Sequence, residues 1–99
     1  MILVGSGSGL VEAARYCVEM GVKLDAVACN SRSPIIKKLS RLNVSVFNLR
    51  DLSTQIDQLD RLCSDGIYFT INFNSIVDDE LLKSGRAFFN IHNGLVGNY

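Results

Sequence analysis

At 99 residues and 10.9 kDa the chain is one small domain or a piece of a larger one, and two independent domains are excluded. Apolar residues at 47% and charged residues at 20%, with a single Pro, exclude a disordered or linker-rich chain. Ten Lys and Arg balance ten Asp and Glu, so nothing in the net charge draws a polyanion, which argues against nucleic acid as the partner of the whole chain.

Ile2-Leu3-Val4 is a continuous apolar run ending at glycine, the pattern of a strand buried on both faces, and Gly5-Ser6-Gly7-Ser8-Gly9 supplies a turn. From Leu10 to Met20 the apolar residues Leu10, Ala13, Ala14, Cys17 and Val18 recur at helical spacing, with Gly21 where a C-cap belongs. Leu24 to Cys29 reads as a second strand. Ser33-Pro34 then opens a helix, with Ser33 as N-cap and Pro34 as first helical residue, that runs to Leu42-Asn43. Val44 to Phe47 is a third strand, and Leu52, Ile56, Leu59 and Leu62 form the apolar stripe of a third helix closed by Asp65-Gly66. Ile67 to Phe73, a short helix over Asp78 to Leu82, and Ala87 to His92 complete the alternation.

Repeated strand-helix alternation requires crossover connections, so the expected fold is α/β: a Rossmann-like, mostly parallel sheet with helices on both faces. Ligands in such sheets bind at the carboxyl ends of the strands, which directs attention to the loops at Gly5–Gly9, Cys29–Ser33, Asn72–Val77 and His92–Tyr99. No apolar run approaches the roughly 20 residues that cross a bilayer, and Met1 to Gly5 lacks the basic and apolar regions of a signal peptide. The expected location is therefore the cytoplasm, without a membrane partner. Cys17, Cys29 and Cys63 are odd in number and widely spaced, and read as reduced core residues rather than metal ligands.

The first loop admits three readings: a tight strand-to-helix turn, an anion site for a substrate phosphate, and a dinucleotide site. Its Gly5-x-Gly7-x-Gly9 spacing is not G-x-G-x-x-G, and Cys29-Asn30-Ser31 offers no carboxylate for a ribose, which leaves Arg32 as the sole hint of a 2′-phosphate partner. Arg32, Lys37, Lys38 and Arg41 form a basic cluster whose ordinary reading is a solvated helix face. In Asn72 to Val77, polar amides interrupt an apolar run at a strand end, where backbone groups could hold a planar ligand. On the last strand Asn90 and His92 point to the same face, placing an amide donor beside an imidazole at the mouth of the sheet. Such a pair is either catalytic or a hydrogen-bonded structural pair.

Asn90-Ile91-His92, followed by Asn93-Gly94-Leu95-Val96-Gly97-Asn98-Tyr99, resembles the signature segment of the folate-dependent formyltransferases. Gly5 to Leu10 is similar to the first loop of the glycinamide ribonucleotide enzymes of that family, and Ile71 to Leu82 to the segment preceding the signature. The form His92-Asn93-Gly94 is closer to that of sugar formyltransferases and of the domains attached to peptide and polyketide synthases.

The resemblance implies transfer of a formyl group from 10-formyltetrahydrofolate to a small-molecule or carrier-bound amine. It implies that Asn90 donates to the formyl oxygen as it becomes an oxyanion and that His92 stabilises that charge and moves protons. It implies further that Phe73, Ser75 and Val77 hold the pterin and that Gly7, Ser8 and Gly9 bind a substrate phosphate. Asn93, Gly94 and Gly97 replace the residues usual in the family, so the loop after His92 is expected to be more flexible. The family's assisting Asp lies beyond the signature, so the resemblance implies the amino-terminal part of one catalytic domain in a longer chain, inactive alone. The alternative is a non-catalytic Rossmann-like module that binds a nucleotide or serves as a scaffold in a larger synthase.

Overall fold

The structure, a computed structural model, describes residues 1–71 and 85–91. Strands and helices alternate along them: β1 Ile2–Gly5, α1 Gly7–Glu19, β2 Ala26–Cys29, α2 Ser33–Ser40, β3 Val46–Asn48, α3 Leu52–Leu62, β4 Ile67–Ile71 and β5 Ala87–Ile91. The five strands form one all-parallel sheet in the order β3-β2-β1-β4-β5. The expected Rossmann-like α/β architecture is therefore present.

Strand alternation divides the core into two layers. Ile2 and Val4 of β1 and Tyr68 of β4 pack on the side that α3 covers with Leu52, Ile56 and Leu59. Leu3, Val27 and Ile71 pack on the opposite side, under Leu10, Val11, Ala14 and Cys17 of α1 and Leu39 of α2. The chain moves outward from β1 to β3 with its helices on one face and returns to β4 with α3 on the other, as crossovers of one hand require. The direction of winding reverses between β1 and β4, and this switch point is where the carboxyl ends of an open parallel sheet leave a crevice.

Several sequence expectations need correction. Helix α1 starts at Gly7 rather than Leu10, because Ser6 is the extended N-cap residue. It also outruns the sheet: thirteen helical residues span about 20 Å, whereas a four-residue strand spans about 13 Å. Val18 in the last turn is accordingly 45% exposed, and Val11 is buried in its stead. In α2 the N-cap is Arg32, not Ser33, which puts Pro34 at the second helical position, still within the turn that needs no N–H bond. That helix ends at Ser40, and Asn43 in the following turn adopts a left-handed φ of 62°.

In α3, Leu62 is exposed and Gln55 buried. The Gln55 Oε1 accepts the N–H groups of Arg50 at 2.7 Å and Asp51 at 3.0 Å, while the Asp51 carboxylate caps the helix by accepting from Ser53 N–H. Strand β2 begins two residues later than expected, since Asp25 instead accepts the Ser64 N–H and hydroxyl at 2.8 and 2.9 Å and ties the strand's start to the turn after α3. Strand β3 is displaced to Val46–Asn48.

The three cysteines are free; Cys17 and Cys29 are core residues, but Cys63 is only half-buried at the end of α3. The helix expected over 78–82, and the extensions of β4 to Phe73 and β5 to His92, lie outside the described residues. Among the described residues no helix is long and apolar enough to cross a membrane.

Candidate active site

Four strand ends converge on the switch point: Gly5 of β1 lies between Cys29 of β2 and Ile71 of β4, and Ile71 pairs in turn with Ile91 of β5. The approach at Gly5 is close. A Cβ added there would stand 2.1 Å from the Ile71 carbonyl oxygen, a distance no side chain tolerates, so this position admits glycine alone without backbone movement. Gly7 has a different reason to be glycine, its φ of 75°, with open space around it. The chain thus leaves β1 through one glycine fixed by packing and enters α1 through another fixed by conformation.

Ser31, in the loop after β2, accepts the Gly7 N–H through its Oγ at 2.8 Å. This bond joins two carboxyl-end loops and satisfies one of the four N–H groups that a helix start leaves without an intrahelical partner. Ser8 and Gly9 belong to the same first turn of α1, whose positive dipole end faces the crevice. Ser8 is exposed and Gly9 half-buried, and the Ser6 side chain makes no capping bond. Arg32 stands at the N-cap of α2, exposed, on the neighbouring loop.

Asn90 lies one residue before the end of β5, paired in register with Thr70. Thr70 is buried, 2% exposed, and its hydroxyl donates to Asn90 Oδ1 at 2.9 Å. With its carbonyl oxygen accepting from Thr70, the Asn90 amide is oriented so that its NH₂ group is the donor on the other side. Phe88 and Phe89 fix the strand beneath it: Phe88 stacks on Tyr68 with ring centroids 4.9 Å apart on one face, and Phe89 on Phe69 at 5.0 Å on the other. Two cross-strand aromatic pairs and one hydroxyl therefore set the position and the orientation of Asn90.

Among the predicted site residues, the structure brings Gly7, Ser8 and Gly9 into one helix start and Asn90 to a strand end, both at the carboxyl edge of the sheet. His92, Phe73, Ser75 and Val77 lie outside the described residues. Two residues that orient the site escape a reading of the sequence. Thr70 is legible only as a hydroxyl in the apolar run Ile67 to Ile71, in register with Asn90 once the strands are paired. Ser31 carries no signal beyond its place after a strand.

Chemically, the described part of the arrangement can present a fixed amide donor and a helix start to a ligand in the crevice. Both favour negative charge, whether a bound anion or an oxygen that gains charge during reaction. In comparisons with known proteins, no protein-family model matches the chain and no curated protein is similar to it.

Proposed function

We propose that the chain is the amino-terminal part of a formyltransferase that moves the formyl group of 10-formyltetrahydrofolate to a substrate amine. The observation that carries this reading is Asn90. It is the first residue of an Asn-x-His segment, it stands at the carboxyl end of a parallel strand one position from the switch-point strand, and a buried residue, Thr70, donates its hydroxyl to the amide oxygen and so fixes the orientation of the amide. An amide so held is suited to donate to a formyl oxygen whose charge grows as the amine adds to the carbonyl carbon. Pre-organised donors of this kind are worth about 2.7–4 kcal/mol each in acyl transfer.

His92 follows two residues later and would act on the proton that the attacking amine must lose and the leaving folate nitrogen must gain. In the same reading Phe73, Ser75 and Val77 contribute the pterin pocket, and Gly7, Ser8 and Gly9 receive an anionic part of the acceptor. Location in the cytoplasm, where reduced folates and free thiols coexist, belongs to the proposal as well.

The test is made in the complete protein that carries this chain. His92→Ala should lower formyl transfer at least about a hundredfold while 5-formyltetrahydrofolate still binds, because a general acid-base group contributes about 10²–10⁴ to the rate. Unchanged transfer in this variant would remove the catalytic assignment. Retained nucleotide binding without any folate binding would favour the non-catalytic module.

A further inference from the structure

The chain is neutral overall, yet its charges are segregated. Between Asp25 and Asp51 there is no acidic residue, while Arg32, Lys37, Lys38, Arg41 and Arg50 fall in that interval. Helix α2 and the turn after it carry most of this charge, and the structure shows where it gathers. Lys38, Arg41 and Leu42 form one wall of a cleft of about 280 Å³ whose other wall is the outer face of α1, namely Ser8, Val11, Glu12 and Arg15.

The cleft contains three cations and one carboxylate, and that carboxylate, Glu12, is already engaged by Arg15 one helical turn on. Among the described residues neither Lys38 nor Arg41 makes an ion pair, whereas Arg86 is fully engaged by Asp60. Lys38, in the last turn of α2, gains from the helix dipole, which accounts for its presence on the helix. The dipole does not account for its convergence with Arg41 on a recess that also holds Ser8 from the positive end of α1.

We infer that the α1–α2 cleft binds a phosphate group, free or as a phosphomonoester, between Lys38 and Arg41 with Ser8 and Arg15 at its margin. A tetrahedral dianion matches the excess of positive charge, Arg41 offers it a planar fork of donors, and Lys38 adds a mobile point charge. The recess has room for one such group and a short organic remainder. Ser8 is shared with the helix start that the formyltransferase reading gives to the acceptor's anionic part, but Lys38 and Arg41 are not, and the inference rests on those two side chains.

The experiment is a ¹H–¹⁵N correlation titration of the complete protein that carries this chain with sodium phosphate against sodium chloride at matched ionic strength, then with glycerol 3-phosphate. Saturable shifts confined to the amides of Ser8, Val11 and Lys38 to Leu42, weakened at least about tenfold in Lys38→Ala/Arg41→Ala, are expected. Both side chains are exposed, so the double variant should keep the wild-type spectrum elsewhere. Tighter binding of the ester would assign the cleft to a phosphorylated metabolite and equal binding to the free anion. Shifts that do not saturate, that chloride reproduces, or that survive the double substitution would overturn the inference. The double variant leaves Gly7 to Gly9 in place, so loss of binding in it separates this cleft from an anion site at the start of α1, and because no folate or amine takes part, failure here leaves the formyltransferase reading untouched.

Discussion

Gly5 shows most plainly how one residue fixes the crevice. Its missing side chain lets the Ile71 carbonyl cross close above β1, so the ends of the two switch-point strands meet without a gap. Gly5→Ala should therefore destabilise the fold by about 2 kcal/mol or more, the cost of forcing atoms into a packed site that backbone alone surrounds. Denaturant unfolding monitored by circular dichroism would measure this, and a stability equal to wild type would mean that β1 and β4 are not packed as described.

The same scale shows what a sequence conceals. Asn90 is visible in its motif, but the hydroxyl that orients it comes from Thr70, distant in sequence and made adjacent only by the pairing of β4 with β5. Ser31 and the Gly7 N–H meet in the same way, across a strand pairing that no local pattern encodes.

At the level of elements, the alternation of strands and helices was legible because its periodicities are strong, and the errors cluster at the ends. Each has a physical cause. Ser33 has the chemistry of an N-cap but is already helical, because Arg32 adopts the extended backbone first. Leu62 fits the apolar stripe of α3 by spacing yet is exposed in the last turn, while Gln55, a polar residue at a stripe position, is buried because its amide binds the N–H groups that precede the helix.

Helix α3 is also anchored to the sheet by polar contacts. Asp60 receives Arg86 through Nε at 2.9 Å and Nη2 at 2.6 Å, together with the hydroxyl of Tyr68. Tyr68 is fully buried, and burial first, then the Asp60 carboxylate, raises its phenol well above the usual range, so it stays a donor at all ordinary pH. Tyr68→Phe keeps the stack on Phe88 and the Arg86 pair but removes one donor from Asp60. The expected loss is about 1 kcal/mol, read from the shift in unfolding midpoint; no loss would show that Arg86 alone satisfies the carboxylate.

Across the whole molecule, two apolar layers hold the sheet and the carboxylate network makes its stability depend on pH. The Arg86 guanidinium, and secondarily the Tyr68 hydroxyl, hold the Asp60 carboxyl below its ordinary value of 3.8. A carboxyl whose pKa is lower in the folded state contributes stability that is fully present above the unfolded value and is lost as pH falls through the folded one. Stability should therefore be level from neutral pH down to about 5 and decline below about 4, and Asp60→Asn should reduce that decline, the remainder coming from Asp25, whose carboxyl the Met1 amino group and the Ser64 N–H hold well below its ordinary value. A wild-type unfolding midpoint unchanged between pH 5 and 3 would contradict this.

The fold class follows from a pattern repeated along the entire chain, whereas the site depends on single residues brought together by the sheet, and this is why the first was legible and the second only in part. Gly7, Ser8, Gly9 and Asn90 lie at the carboxyl edge of the sheet, as their loops and strand ends imply. The charge cleft between α1 and α2 was visible as a basic run but not as a recess, since its second wall comes from α1.

The claim that this crevice serves a folate is tested most directly by titration calorimetry of the complete protein with 5-formyltetrahydrofolate and, separately, with NADP⁺. Saturable binding of the folate, weakened when Asn90 is replaced by Ala, and no heat of binding from the dinucleotide are expected. Binding of NADP⁺ with none of the folate would contradict it and would make the crevice a dinucleotide site.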